Sequence, residues 1–161
     1  MKSSVFFLYK RYLIAIGIIG GLVTLISFKD DMTTIFKKQN DISGKWEIDQ
    51  TIQQSSLSRY KGLKVSYQVF LTQDGEIVQG NGEKYSENNT PIKPEDRIPV
   101  EINGKVDGHK LILDIVEHGK LRETTGQMIL TLKKDFNTFT GEFSSTAANS
   151  SGVCTGEIIE E

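Results

Sequence analysis

The sequence predicts an N-terminal transmembrane α-helix followed by an all-β, eight-stranded up-and-down barrel. Residues 12–28 form an apolar run of 17 positions without a charge. From residue 44 onward, apolar and polar residues alternate and no stretch shows helical periodicity. Most of the predicted strands are joined by short turns, and closing such a meander into a barrel removes its exposed edges. We therefore assign residues 1–40 to a membrane anchor helix with a juxtamembrane extension, and residues 41–161 to a β-barrel domain.

The composition excludes several classes of protein. Across 161 residues, 19 Lys and Arg oppose 21 Asp and Glu, which gives a formal net charge of −2. Proteins that bind duplex nucleic acid usually carry a strong basic excess, so we expect no such partner. Cys154 is the single cysteine, which excludes an internal disulfide framework and a cysteine-rich zinc site.

The apolar run at residues 12–28 is best interpreted as an uncleaved membrane anchor. At about 1.5 Å per residue it spans roughly 25 Å, the short end of a membrane crossing. A cleaved signal peptide is the alternative, but no A-x-A-like cleavage site follows the run. A buried core helix is disfavoured because the run has no polar stripe. Three basic residues lie on each side of the run, so the positive-inside rule leaves its orientation open.

Gly17 and Gly21 form a G-x-x-x-G motif inside this run. Two helix backbones can approach closely where side chains are missing at positions i and i+4, which favours self-association in lipid. The alternative is that glycine is simply common in membrane helices. Apolar residues at helical spacing extend the predicted helix to about Gln39, before an Asn-Asp break at Asn40.

Eight predicted strands follow, and two Asp-Gly pairs mark hairpin turns at residues 74–75 and 107–108. The strands are predicted at residues 44–53, 63–72, 76–86, 98–106, 110–117, 121–133, 138–145 and 152–160. Glycines fall inside several of them, which permits the sharp coiling of a small barrel. An eight-stranded barrel is filled by side chains or holds one small ligand. A β-sandwich is the alternative fold.

We find no catalytic set in the sequence and expect the protein not to be an enzyme. His109 and His118 lie at or beside predicted turns without a motif partner, so we expect both to be exposed to solvent. Cys154 has no paired histidine, and a cysteine in a strand is most often a small core residue. No P-loop and no metal-ligand spacing is present.

Three polar clusters, at residues 80–89, 117–125 and 143–152, are candidates for ligand binding. We expect the last to be a loop too long for a simple hairpin. Hydroxyl groups, amides and exposed backbone N–H groups suit a phosphate or a sugar, and basic side chains supply charge. Trp46 and Tyr67 are candidates to stack on a base, and the alternative is that they only fill the interior of the barrel. The candidate ligand-binding residues are Trp46, Tyr67, Lys84, Arg122, Ser144, Ser145, Thr146 and Asn149. Ordinary turn chemistry is the alternative for each cluster.

Two resemblances follow from short motifs. Gly44-Lys45-Trp46 resembles the G-x-W start of lipocalin-like barrels. The chain also combines an N-terminal membrane segment with a strand-only barrel, and the barrel carries two further motifs near its end, F-x-G-x-F at 139–143 and G-x-I at 156–158. This arrangement resembles the transmembrane β-barrel effectors of bacterial cyclic-oligonucleotide antiphage signalling, the CBASS type. The resemblance implies a barrel that binds a cyclic di- or oligonucleotide as a regulatory ligand, no other cofactor, and a membrane segment that assembles into a homo-oligomer and breaches the inner membrane. Such effectors usually carry two spans, whereas only one is predicted from this sequence.

The leading hypothesis is therefore an antiphage defence effector, single-pass in the bacterial inner membrane, with a cytosolic barrel. A membrane-tethered periplasmic lipocalin-like protein that binds a small apolar ligand is the alternative. A third possibility is an envelope domain whose barrel is filled by its own side chains.

Overall fold

The computed structural model describes residues 41–159, which fold into a closed antiparallel β-barrel. Nine strands are present in this part of the chain. They are β1 (Gly44–Gln54), β2 (Lys64–Asp74), β3 (Ile77–Glu87), β4 (Thr90–Pro91), β5 (Ile98–Asp107), β6 (Lys110–His118), β7 (Glu123–Leu132), β8 (Thr138–Ser145) and β9 (Ser150–Ile158). Three short 3-10 turns lie at Ser58–Tyr60, Pro94–Asp96 and Ala147–Asn149.

Eight of these strands close the barrel, and each pairs antiparallel with the next long strand along the chain. The ring is completed because β1 pairs with both β2 and β9, so that Trp46 lies between Val69 and Ile158. The two-residue β4 pairs only with the end of β3. The predicted eight-stranded up-and-down barrel is thus confirmed, and at the level of fold it agrees with a lipocalin-like barrel.

The predicted transmembrane helix, with Gly17 and Gly21, lies outside the described residues. Within residues 41–159, no helix combines the length and the apolar character that crossing a membrane requires.

One end of the barrel is closed by a tightly packed apolar core. The Trp46 side chain is fully buried, and its ring stacks on Phe139 with 5.1 Å between the centroids. The indole N–H of Trp46 donates to the carbonyl oxygen of Ile42 at 2.8 Å. Gly156 faces this pair, and a Cβ there would lie 2.2 Å from Cζ of Phe139. A glycine is therefore required at position 156 to leave room for the stacked rings.

The last two strands are joined by a shorter connection than the sequence predicted, although the predicted strand at 138–145 coincides with β8. β8 extends to Ser145 and β9 begins at Ser150, so a connection of four residues replaces the long loop. Ala148 and Asn149 turn the chain with φ angles of 53° and 44°. The serines that suggested a loop instead lie in paired strands, where the Ser145 hydroxyl accepts from the Ala147 N–H and the Ser150 hydroxyl donates to the Ala147 carbonyl oxygen.

Cys154 is a core residue, as the sequence predicted, and only 1% of its surface is exposed. Its Sγ lies 3.7 Å from Sδ of Met128. Burial raises the pKa of its thiol to about 12. We expect the native protein at pH 8 to react with a thiol reagent such as dithionitrobenzoate only on the timescale of unfolding.

The raised pKa of Cys154 also predicts how stability depends on pH. Because the folded state holds the proton more tightly than the unfolded state, the thiol's contribution is complete below about pH 9 and is lost as the pH rises toward 12. The slope reaches at most about 1.4 kcal/mol per pH unit. Urea unfolding at pH 8 and pH 11 should therefore show a larger loss of stability for the wild type than for Cys154→Ala. In the labelling experiment with dithionitrobenzoate, rapid reaction of the native protein at pH 8 would contradict the burial of the Cys154 thiol.

Candidate functional site

A cavity of about 460 Å³ opens at the end of the barrel opposite Gly44. It is formed by the last residues of β1, β3, β6 and β8 and the first residues of β2, β5, β7 and β9, all of which meet at this end. Its volume falls within the range of roughly 300–1,000 Å³ that is typical of small-molecule sites. The open end of the barrel is therefore the candidate functional site.

The walls of the cavity are mainly apolar. Ile52, Val65 and Phe143 reach it from three different strands, and Leu63 and Ile98 complete the walls. Such walls exclude water and suit a flat or aliphatic part of a ligand.

The floor of the cavity is polar and is formed by Gln50, Tyr67, Glu117 and Thr124. The Tyr67 hydroxyl donates to Oε1 of Glu117 at 2.6 Å, and the Thr124 hydroxyl donates to Oε2 at 3.3 Å. Burial, together with the negative charge of Glu117, raises the pKa of Tyr67 well above its usual value. Tyr67 therefore remains a protonated donor throughout the physiological pH range, and it fixes the orientation of the Glu117 carboxylate.

The charges that line the cavity balance. Three cations (Lys84, Lys120, Arg122) oppose three carboxylates (Glu87, Asp96, Glu117). Lys84 pairs with Glu87, and Lys120 with Asp96, each at 2.6 Å. Arg122 is exposed, and none of the residues 41–159 forms an ion pair with it. Its guanidinium is therefore the cation best placed to meet an anionic group of a ligand.

A bulge in β3 aims Lys84 into the cavity. Ser66 lies opposite Ser86 in the register of β2 and β3, whereas the next residue, Tyr67, lies opposite Lys84. Tyr85 is the extra residue, and its hydroxyl donates to Glu47 on β1. The bulge thus lets Lys84 line the cavity opposite Tyr67.

The structure brings together half of the eight residues predicted to bind a ligand. Tyr67, Lys84, Arg122 and Ser145 line the cavity. Trp46 does not: it lies in the core of the closed end, so it plugs the barrel and is not available to stack on a ligand in this cavity.

Ser144, Thr146 and Asn149 also lie away from this cavity, along a shallow groove on the outer surface of the barrel. The Thr146 hydroxyl accepts from the backbone N–H of Thr125 at 3.0 Å and donates to its carbonyl oxygen at 3.1 Å. Thr146 therefore joins the β8–β9 connection to the start of β7, which is a structural role.

Three floor residues, Gln50, Glu117 and Thr124, were not among the predicted ligand-binding residues. Gln50 occupies an inward position of β1 between Ile48 and Ile52, and it is 5% exposed. A polar residue at an inward position is the sequence signal that would have found it, because alternation alone predicts an apolar residue there.

The two histidines differ from each other. His109 is exposed, as predicted, and its ring stacks on Phe136 at 4.8 Å. His118 is only partly exposed, because it lies between two carboxylates: Nδ1 is 2.9 Å from Oε1 of Glu123, and Nε2 is 3.4 Å from Oε1 of Glu101. His118 is thus less exposed to solvent than the sequence predicted, since strand pairing brings these glutamates beside it.

In comparisons with known proteins, no protein-family model and no curated protein matches this chain. The functional assignment therefore depends on the barrel, its cavity and the residues that line it.

Proposed function

We propose that the barrel is the sensor of a membrane-anchored effector in bacterial cyclic-oligonucleotide antiphage signalling. The observation that carries this proposal is the cavity at the open end, which combines apolar walls with Arg122, a cation that has no ion-pair partner within residues 41–159. A nucleotide has the complementary parts, since its base is flat and largely apolar on its faces and its phosphate is anionic.

The arrangement of charge suggests how such a ligand lies. Glu117 repels a phosphate from the floor, whereas Arg122 attracts one to the rim. The base therefore enters between Phe143 and the aliphatic walls, and the phosphate stays near Arg122. The other two cations of the cavity, Lys84 and Lys120, are already paired with carboxylates. A ligand that carries few negative charges therefore fits better than a polyanion such as duplex nucleic acid.

The proposed output is disruption of the bacterial inner membrane. In this proposal the apolar run at residues 12–28 is a single-pass anchor, the barrel lies in the cytosol, and homo-oligomers form through Gly17 and Gly21. The cyclic nucleotide is a regulatory ligand and the protein catalyses no reaction.

The proposal is tested by expressing the full chain in bacteria with and without a co-expressed cyclase that makes cyclic di-GMP or cyclic di-AMP. We expect cell growth and propidium iodide uptake to depend on one of these nucleotides. Gly17→Ile together with Gly21→Ile should abolish dye uptake, while the purified variant still binds the nucleotide. Growth and dye uptake that are unchanged in every combination would contradict the effector function.

A membrane-tethered periplasmic lipocalin-like protein is the second candidate. The apolar walls favour it, as does Leu121, which lines the mouth of the cavity and is fully exposed. A topology reporter fused after Glu161 separates the two proposals. A periplasmic signal, with a fatty acid displacing a fluorescent probe from the cavity, would favour the apolar-ligand carrier.

A further inference from the structure

The amide of Gln50 is buried in the cavity floor with only weak hydrogen-bond partners. Its Nε2 lies 3.5 Å from the thioether sulfur of Met128, and its Oε1 lies 3.5 Å from the Tyr67 hydroxyl. Tyr67 has a single proton, which it donates to Glu117 at 2.6 Å. The Gln50 carbonyl therefore receives no good hydrogen bond, and its amino group has only a weak acceptor. A buried amide in this state is costly unless a ligand completes it.

The neighbouring carboxylate of Glu117 is also incompletely used. An ionised carboxylate offers about four acceptor sites, and Tyr67 and Thr124 occupy one on each oxygen. No lysine, arginine or histidine within residues 41–159 forms an ion pair with Glu117. The floor therefore presents a negative charge with open acceptor sites beside an amide that both donates and accepts.

We infer that this floor recognises the Watson–Crick edge of a guanine base. Guanine presents two adjacent donors, N1–H and the N2 amino group, and one acceptor, O6. Glu117 accepts from the two donors, and the Nε2 of Gln50 donates to O6. This inference rests on the proposed function and names the base that the sensor reads.

Adenine and uracil fit the floor less well. Adenine presents the acceptor N1 where guanine presents a donor, so its lone pair faces the Glu117 carboxylate. Uracil presents one N–H between two carbonyl oxygens, so only one bond to the carboxylate forms and one oxygen is repelled. A site whose buried polar groups stay unpaired with the wrong ligand discriminates strongly against it.

The test measures binding of cyclic di-GMP, cyclic di-IMP and cyclic di-AMP to the full-length protein in lipid nanodiscs by calorimetry. Hypoxanthine, the base of cyclic di-IMP, differs from guanine only in lacking the N2 amino group. We expect the affinity for cyclic di-AMP to be about 10- to 100-fold lower than for cyclic di-GMP, with cyclic di-IMP between them, as is typical of bidentate base contacts.

Glu117→Gln is the decisive variant, because it keeps the shape of the side chain and an acceptor for Tyr67 but replaces one acceptor oxygen by a donor. It should reduce the preference for guanine over adenine to within about threefold, since the bidentate contact is lost. Glu142→Gln, an exposed carboxylate on β8, is the matched control and should keep the full preference. If Glu117→Gln does not fold, Gln50→Leu is the second test variant. It should bind cyclic di-GMP about 10-fold more weakly than the wild type.

The outcomes separate the two levels of the proposal. Equal binding of all three nucleotides, or a preference that Glu117→Gln leaves intact, overturns guanine recognition while the nucleotide sensor stands. If none of the three nucleotides binds, the proposal that the barrel is a nucleotide sensor is itself overturned. A preference for guanine that only Glu117→Gln removes supports both.

Discussion

Replacing Trp46 with alanine is expected to lower the free energy of unfolding by about 3–5 kcal/mol, the usual cost of removing a large buried aromatic side chain. The variant loses the stack on Phe139 and leaves the Ile42 carbonyl without its indole partner. A domain of this size has only about 5–15 kcal/mol of stability, so a substantial share of it is removed. Urea unfolding followed by far-ultraviolet circular dichroism measures the effect, because Trp46 is the single tryptophan and its fluorescence is lost.

Two further variants give this prediction its controls. Phe70→Ala removes an aromatic ring that is 52% exposed on β2, and it should change stability by less than about 0.5 kcal/mol. Trp46→Phe keeps an aromatic ring in the core and should leave the affinity for cyclic di-GMP unchanged. A specific loss of affinity in Trp46→Phe would show that Trp46 contacts the ligand after all.

Replacing Arg122 with glutamine is expected to weaken the binding of cyclic di-GMP by about 10- to 150-fold, which corresponds to losing one charged hydrogen bond of about 1.5–3 kcal/mol. The reason is that the other two cations of the cavity already have carboxylate partners, whereas Arg122 has none among the described residues. Titration of the nucleotide into the full-length protein measures the loss. Raising the salt concentration should weaken binding by the wild type more than binding by the variant, because salt screens exposed charges.

Lys105→Gln is the matched control for net charge. Lys105 is an exposed cation on β5 that does not line the cavity, so its removal should change the affinity by less than about twofold at physiological salt, where distant charges are screened. Equal losses in Arg122→Gln and Lys105→Gln would mean that the overall charge attracts the ligand and that Arg122 makes no specific contact.

Much of the barrel was predictable because local patterns set both the strands and the turns. Alternation over residues 63–72 corresponds to β2, and the Asp74-Gly75 turn carries the φ of 62° at Gly75 that a tight hairpin favours. Pairing of β2 with β3 follows from that hairpin, and it is this pairing that brings Tyr67 opposite Lys84. The part of the site that depends on one hairpin was thus within reach of the sequence.

The rest of the site depends on register and on distant strands. A shift of one residue reverses the face of a strand, so Ser145 lines the cavity while Ser144 beside it does not reach it. No local motif reveals that Trp46 lies at the end of the barrel opposite the cavity, because this placement depends on the direction in which β1 runs. Glu117 meets Gln50 and Tyr67 only when the barrel closes around them.

The closure of the barrel by β1 and β9 has a consequence for synthesis of the protein. Trp46 and Ile158 are neighbours across this junction although 158 − 46 = 112 positions separate them in the chain. Until β9 has left the ribosome, β1 and β8 each present an open edge, and open edges invite pairing with other chains. Ser150, which contributes to the cavity, also belongs to this last strand. A nascent or truncated chain that lacks β9 therefore has neither a sealed ring nor a complete binding site, and competence to bind appears only after β9 has been synthesised.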